Sequence, residues 1–146
     1  MSNFQFSGSS KRRLSKCHYV LRDIMHLALK HTEVDFAITQ GHRTTQEQNK
    51  LYKEGKSKKD GYLKKSKHQT LPSEAIDFAP IVNAKAVWDR ENCCYVAGII
   101  LGIGRLWIEQ QNLPFKLRWG GNWDGDGTII KDQNFIDLPH IELIAI

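Results

Sequence analysis

The stretch SKHQTLPSEAIDFAP, residues 66–80, places a histidine and an aspartate on either side of a loop that leads into an apolar segment. A second histidine, His140, follows Asp137 by three residues in the stretch FIDLPHIEL. Two histidines and one carboxylate form a common catalytic zinc set, which leaves the fourth position for water. His68, Asp77 and His140 are therefore candidate metal ligands.

A metal site of this kind also needs a group that handles protons. A bound metal lowers the pKa of its water toward ~7, and a carboxylate that does not bind the metal can then act as general base and later as acid. Asp137 suits this role if the turn at Leu138-Pro139 directs Asp137 and His140 into one cleft. The alternative is that all of these are ordinary turn and surface residues. No local zinc motif such as H-E-x-x-H decides between the two.

The elements that must position these residues can be predicted from hydrophobic periodicity. Apolar residues recur at helical spacing through residues 10–31, which predicts one amphipathic helix. The alternating stretch VDFAITQG predicts a strand, and HRTTQEQNKLYKEG carries the start and stop signals of a helix. Seven lysines then lie between Lys53 and Lys67 among glycines and serines, a composition typical of a mobile loop.

The second half of the chain predicts more strands than helices. EAIDFAP reads as a strand ended by Pro80, and residues 86–111 as a long, mostly buried helical region. The stretches FKLRWGG and LPHIELIAI predict two further strands. Because helices and strands do not alternate regularly, we expect an α+β fold with helices on one face of a small, mainly antiparallel sheet.

The bulk properties limit the classes of protein. A length of 146 residues fits one domain, expected to span residues 1–146. The N-terminal stretch lacks an apolar run long enough for a signal peptide or a membrane span, so we expect synthesis in the cytoplasm and no stable membrane insertion. Nothing suggests a coiled coil, so a monomer is expected. The net charge of +5 indicates an anionic partner, for which nucleic acid, acidic lipid and cell-wall polymer all qualify.

Four segments, in the same order, resemble the zinc peptidase family of D-alanyl-D-alanine carboxypeptidases and L-alanyl-D-glutamate endopeptidases. SKHQTLPSEAIDF resembles the family's S-x-H…A-x-D segment, and DLPHIEL resembles its D/E-x-x-H segment. QGHRTTQEQNKLYKEGKSK resembles the G-x-R-S/T…Q segment and the Gly- and Lys-bearing loop after it. LRWGGNW resembles the W-G-G-x-W stretch of the phage endolysin branch. Together the four segments cover most of residues 40–143.

The resemblance implies a zinc site, a catalytic base and an arginine that holds a substrate carboxylate or the developing oxyanion. By this resemblance, the zinc ligands would be His68, Asp77 and His140. Asp137 would be the catalytic base, and Arg43 would be the arginine that binds the substrate. Gln48 and Ser66 are weaker matches, expected to orient their neighbours. The implied fold is the small α+β fold shared with the Hedgehog signalling domain, in agreement with the prediction from periodicity.

One departure from the family concerns the spacing between its first histidine and its aspartate. The family commonly places six residues there, often with a glycine, whereas this chain has eight, QTLPSEAI, and no glycine. The extra residues could form a Pro-Ser turn without moving either ligand, or they could re-aim His68. We expect Glu74, within this stretch, to be a solvated turn residue.

The phage-type WGGNW stretch favours an endolysin, made in the cytoplasm of an infected host and released to the cell wall. Such an enzyme would cut the L-alanyl-D-glutamate bond of peptidoglycan stem peptides and would be independent of nucleic acid. D-alanyl-D-alanine carboxypeptidase activity is the alternative on the same fold. A basic nucleic-acid-binding module is the alternative from another class, although the lysines are not interleaved with aromatic residues.

A smaller signal is NWDGDG, residues 122–127, whose N-x-D-x-D-G pattern resembles the start of a calcium loop. The full pattern has glutamate at its twelfth position, where this chain has Gln133, and Asp132 is one residue off. A calcium ion at Asn122–Asp126 and a plain acidic turn are therefore both compatible with the sequence.

Overall fold

The computed structural model describes residues 1–146 and contains four α-helices and five strands. In chain order the elements are α1 (Gly8–Ser15), α2 (Tyr19–His31), β1 (Asp35–Gln40), α3 (Thr45–Lys53), a 3-10 helix (Lys67–Gln69), β2 (Ala75–Val82), β3 (Lys85–Ala86), α4 (Arg90–Gln110), β4 (Phe115–Gly120) and β5 (Asp137–Ala145). The predicted α+β class is confirmed.

The sheet has the order β1-β2-β5-β4, with the short β3 beside β2, and every strand pair is antiparallel. Its centre is the pairing of β2 with β5, which sets Ile76 opposite Ile141 and Asp77 opposite His140. The predicted, mainly antiparallel sheet is therefore confirmed, and the two segments that carry candidate metal ligands are neighbours within it.

Alternation of side chains gives the sheet one apolar face and one polar face. On the apolar face, Ile76, Phe78 and Ile141 are fully buried in the core. Helices α2 and α4 cover this face, because each contributes a buried apolar stripe: Leu21, Ile24, Met25 and Ala28 from α2, and Val96, Ala97 and Ile100 from α4. The polar residues between the buried ones must therefore point to the opposite face.

The prediction of a single helix over residues 10–31 was wrong. The chain leaves the helix at residues 16–18, where its backbone binds Ser73 instead: Ser73 N donates to Lys16 O at 2.8 Å, and His18 N donates to Ser73 O at 2.9 Å. His18 then caps α2, its Nδ1 accepting from Val20 N at 3.3 Å. Helical periodicity runs through the break because α1 and α2 both contribute to the same core.

The strand predicted to end at Pro80 continues to Val82 and turns into β3. The turn residues Asn83 and Ala84 have φ values of 50° and 62°, the left-handed conformations that a two-residue hairpin requires. Alanine seldom adopts this conformation, and the Asn-Ala pair lacks the glycine that usually marks such a turn, so the sequence concealed this hairpin.

Helix α4 is long and apolar enough to cross a membrane by length and composition, with a mean hydropathy of 1.2. A central core helix meets the same criterion. In this fold α4 packs against α2 and against strands β2, β4 and β5, and it buries Cys93, Val96, Ala97, Ile100 and Ile108. The helix is therefore the central core helix of the domain.

Replacing a buried side chain of α4 should destabilise the protein strongly. We expect Ile100→Ala to lower the free energy of unfolding by about 2–5 kcal/mol, because it leaves a cavity in a site that is fully buried. Leu106→Ala is the matched control on the same helix, since Leu106 is 59% exposed, and should change stability by less than about 0.5 kcal/mol. Equal effects in chemical denaturation would contradict the assignment of α4 as a core helix.

Candidate active site

Three donor atoms converge on the polar face of the sheet, where β2 meets β5. Asp77 Oδ1 lies 3.0 Å from His140 Nδ1 and 3.3 Å from His68 Nε2, and the two histidine nitrogens lie 3.3 Å apart. Ligand atoms at two corners of a tetrahedral zinc site, each about 2.0–2.1 Å from the metal, are about 3.3 Å apart. The spacing of the three side chains therefore fits a single metal ion.

The far side of each histidine ring is held by an oxygen, and this fixes which nitrogen faces the centre. His68 Nδ1 lies 2.7 Å from the carbonyl oxygen of Gly41, which can only accept, so Nδ1 donates to it and Nε2 faces the centre. His140 Nε2 lies 3.5 Å from Glu142 Oε1, and its Nδ1 faces the centre in the same way. Outer partners of this kind orient metal-binding histidines. The donor set therefore fits a divalent metal chemically as well as geometrically.

Attraction between Asp77 and the two histidines shifts the pKa values within this cluster. Burial raises the pKa of Asp77, but the charge of His68 and the hydrogen bonds from both histidines outweigh burial and hold that pKa well below its usual range. Burial lowers the pKa of His140, but its hydrogen bonds to Asp77 and Glu142 outweigh this and raise the pKa to about 9. Asp77 is therefore kept as a carboxylate, the form that a metal ligand requires.

Asp137 lines the same cleft, and its pKa is raised, first by burial and then by the negative charge of Asp77. A carboxylate whose pKa is raised toward neutrality is suited to accept and return a proton. The WGG stretch of β4 sets its position. Gly120 lies opposite Asp137, where a Cβ atom would overlap the Asp137 carbonyl oxygen, and Trp119 Nε1 donates to Leu138 O at 2.7 Å.

Arg43 lies at the edge of the cluster with three of its five N–H groups in use. It donates from NH2 to Asp77 Oδ2 at 3.1 Å, from NH1 to Gln48 Oε1 at 3.0 Å, and from Nε to Gln40 Oε1 at 3.1 Å. The pair with Asp77 fixes the second oxygen of that carboxylate. Two N–H groups of the guanidinium remain for a ligand in the cleft.

Residues 54–66, which lie between α3 and the 3-10 helix and carry five of the seven lysines, have no regular helix or strand, as predicted, and we call them the lysine loop. The fully buried Gln48 fixes it to the site: its Nε2 donates to Ser57 Oγ at 2.9 Å and to Lys59 O at 2.8 Å. Gln69 Nε2 donates to Gly61 O at 2.9 Å, and Ser66 caps the 3-10 helix that carries His68. Gln48 and Ser66 therefore orient their neighbours.

The longer spacing between His68 and Asp77 leaves both side chains in the cluster. The intervening residues form the 3-10 helix and a turn whose buried Ser73 is bonded to residues 16–18. Glu74 lies outside the cluster, with Oε2 3.9 Å from Lys67 Nζ. The alternative in which the extra residues re-aim His68 is therefore wrong.

Sequence reasoning missed three residues of the cleft. Glu142 is 2% exposed and lies between His140 and Arg118, whose Nε is 3.4 Å from Glu142 Oε1. Burial raises the pKa of Glu142, but His140 and Arg118 outweigh it and lower the pKa to about 2. Trp123 and Phe135 form one wall, with Trp123 5.3 Å from the His140 ring. Glu142 had a signal in the sequence, because period-two spacing places it on the same strand face as His140. Trp123 ends the W-G-G-x-W stretch, whereas Phe135 had no signal.

The acidic loop brings together the exposed carboxylates of Asp124, Asp126 and Asp132, whose oxygens lie within 4.8 Å of one another. Asp132 thus joins the two aspartates of the NWDGDG stretch. Asn122 donates through Nδ2 to Asp126 O at 3.0 Å, and Gln133 Oε1 accepts from Trp123 N at 2.9 Å. Exposed acidic groups also cluster without an ion, so calcium at this loop stays a prediction.

Two histidines and an aspartate around one centre, with a second carboxylate beside them on an α+β sheet, form a candidate metal site of the kind that metal-dependent hydrolases use. The family of phage L-alanyl-D-glutamate peptidases matches residues 1–144, and this chain belongs to that family. The resemblance drawn from the four sequence segments is therefore confirmed, and the protein is a peptidase.

Individual members of this peptidase family are similar to the chain over most of its length. The L-alanyl-D-glutamate peptidase of Escherichia phage T5 is 32% identical over 148 residues, covering 97% of this chain and 99% of the phage T5 protein. The peptidoglycan L-alanyl-D-glutamate endopeptidase CwlK of Bacillus subtilis (strain 168) is 30% identical over 128 residues, covering 84% of this chain and 68% of CwlK. The crystal structure of the Serratia marcescens L-Ala D-Glu endopeptidase ChiX shares the fold, with a TM-score of 0.73 at 22% identity, covering 98% of this chain and 92% of that one.

The contact between Glu142 and His140 leads to a prediction about metal affinity. Glu142→Ala removes the acceptor beside His140 Nε2 and should weaken Co²⁺ or Zn²⁺ binding by about 10–100-fold. Glu142→Gln keeps an acceptor oxygen beside His140 Nε2 and should weaken metal binding less than Glu142→Ala. A competition titration against a chromophoric chelator measures both, with Glu74→Ala as the control outside the cluster. Unchanged affinity in Glu142→Ala would contradict this role.

Proposed function

We propose that this protein is a zinc-dependent endopeptidase that hydrolyses the L-alanyl-D-glutamate bond of peptidoglycan stem peptides. The observation that carries the proposal is the convergence of His68, Asp77 and His140 within a cleft of about 550 Å³. Both curated relatives are named for this bond, and CwlK is named for peptidoglycan.

In this proposal His68, Asp77 and His140 hold zinc, which supplies Lewis acidity and an activated water when it is bound. Asp137 accepts a proton from the attacking water as the carbon–oxygen bond forms. It returns that proton to the departing amine of D-glutamate as the carbon–nitrogen bond breaks. The two unused N–H groups of Arg43 donate to the substrate, at its carboxylate or at the carbonyl oxygen where negative charge develops.

The setting of the enzyme is also part of the proposal. Residues 1–146 act as one monomeric catalytic domain that does not insert into a membrane, since α4 packs into the core. The protein is made in the cytoplasm of an infected host and is then released to the cell wall. The support for this setting is the similarity to the phage T5 peptidase over nearly the whole chain.

Two alternatives predict different products. A D-alanyl-D-alanine carboxypeptidase on this fold would release free D-alanine, whereas the endopeptidase would release peptides that begin with glutamate. A nucleic-acid-binding module would cut nothing, and it has no use for the raised pKa of Asp137 inside the cleft. Family membership favours the endopeptidase over both.

A calcium ion at Asn122–Asp126 is a secondary part of the proposal. Asp132 would add a carboxylate to those of Asp124 and Asp126. Oxygen ligands of this kind suit Ca²⁺. The loop joins β4 to the start of β5, so an ion there would act on the segment that carries Asp137.

The proposal is tested by digesting purified peptidoglycan with and without a zinc chelator and identifying the new termini by mass spectrometry. We expect chelator-sensitive release of peptides that begin with glutamate, restored by added Zn²⁺. Free D-alanine in their place would move the protein to the carboxypeptidase class. An absence of cleavage by zinc-loaded protein would overturn the proposal.

Replacing Asp137 should separate catalysis from metal binding. We expect Asp137→Ala to lower kcat by about 10²–10⁴-fold, the usual contribution of a general acid–base group, while the protein still binds one zinc ion. Asp23→Ala is the control, because Asp23 is exposed on α2 and lies outside the cleft. Full activity in Asp137→Ala, measured by release of new amino termini, would rule out its role as the base.

A further inference from the structure

The cleft carries more positive charge than the chemistry of the site requires. Three carboxylates line the cleft, and so do six cationic side chains: Arg43, Lys56, Lys58, Lys59, Lys67 and Arg118. Four of them are already paired, with Asp77, Glu54, Glu74 and Glu142. Lys58 and Lys59 of the lysine loop form no ion pair within 4.0 Å. Two unpaired ammonium groups at a cleft lip are a site for negative charge on the ligand.

Lys58 stands at the far end of a wall that begins at the candidate metal ligands. The Trp123 ring lies 5.3 Å from the His140 ring and stacks on Phe135 at 6.2 Å. Lys58 Nζ lies 5.0 Å from the centre of the Phe135 ring. Lys58 Nζ is thus at most about 17 Å from the His140 ring, a distance that an extended peptide spans in no more than about five residues at about 3.3 Å per residue. A group two to four residues from the cleaved bond therefore lies along this wall, on the way to Lys58.

The chemistry of a stem peptide places its carboxylates on one side of the L-alanyl-D-glutamate bond. The alanine end is joined to the glycan through an amide and has no charge, so the carboxylates belong to D-glutamate and the residues after it. The free carboxylate of D-glutamate itself is next to the cleaved bond, within the reach of Arg43. For a carboxylate farther along the peptide, Lys58 and Lys59 of the lysine loop are the cleft cations that form no ion pair within the protein.

We propose that Lys58 and Lys59, beside the Trp123–Phe135 wall, form a subsite for a substrate carboxylate two to four residues beyond the cleaved bond. This subsite rests on the proposed function and names its substrate class: stem peptides that end in a free carboxylate, in preference to the same peptides ending in a carboxamide. The lysine loop thus recognises one anionic group inside the cleft. Lys64 and Lys65, in the same loop, do not line the cleft and have no part in it.

The test uses two synthetic tetrapeptides that differ only at the C-terminus. Both are N-acetyl-L-alanyl-γ-D-glutamyl-Nε-acetyl-L-lysyl-D-alanine, one with a free carboxylate and one with a carboxamide. We expect the wild-type protein to have a roughly five- to tenfold lower KM for the carboxylate peptide, as two partly exposed ion pairs would give. Lys58→Met/Lys59→Met should abolish this preference while changing kcat less than twofold.

The control is Lys64→Met/Lys65→Met, which removes the same charge from the same loop and should keep the full preference. Equal KM values for the two peptides in the wild-type protein would overturn the subsite. So would a preference that persists in Lys58→Met/Lys59→Met, or one lost equally in the control, which would make the loop a general anion-attracting surface.

A binding measurement separates failure of the subsite from failure of the proposed function. Calorimetric titration of both peptides into zinc-loaded Asp137→Ala protein needs no turnover. If the wild-type protein cuts neither peptide, the proposed reaction fails, and the ratio of the two dissociation constants still decides the subsite. Tighter binding of the carboxylate peptide supports the subsite if the difference disappears when Lys58→Met/Lys59→Met is added to Asp137→Ala. Equal dissociation constants for the two peptides reject the subsite.

Discussion

The register between β2 and β5 is the constraint on which the cleft depends. It sets Asp77 opposite His140 on one face of the sheet, and Ile76 opposite Ile141 on the other. Strand side chains alternate between the two faces of the sheet. Burial of the isoleucine pair beneath the helices therefore also directs Asp77 and His140 into the cleft. A slip of one residue would exchange the two faces, so the hydrophobic core holds the register that brings the donor atoms together.

Around that register, each of the three candidate metal ligands is held by a partner of its own. The Gly41 carbonyl oxygen holds His68, Glu142 lies against His140, and Arg43 binds the outer oxygen of Asp77. Burying these charges would be costly if any of them were unpaired. The arrangement therefore keeps the donor atoms in place before a metal or a substrate arrives, which lowers the cost of assembling the site.

The fold class, the principal strands and the candidate ligand set could be predicted from the sequence, because periodicity and four family-like segments are local signals. The break near Cys17 could not, since it depends on hydrogen bonds to Ser73, more than fifty residues away in the chain. Glu142 looked like one residue of a strand until the structure placed Arg118 across from it. Trp123 ends the W-G-G-x-W stretch, but its stacking on Phe135 could not be predicted, because that contact joins the two ends of an irregular loop.

The lysine loop is attached to the enzyme mainly through its own backbone. Gln48, Asn49 and Gln69 bind the carbonyl oxygens of three consecutive residues, 59–61, and carbonyl groups are the same in every amino acid. The side chain of Lys59 can therefore be exchanged while the loop keeps its path. Its two neighbours are constrained, because Asp60 Oδ1 accepts from the backbone N–H groups of residues 62–64 and Gly61 has a φ of 89°. The charge at the lip of the cleft can therefore change by substitution at Lys59, while the candidate metal ligands and their geometry stay the same.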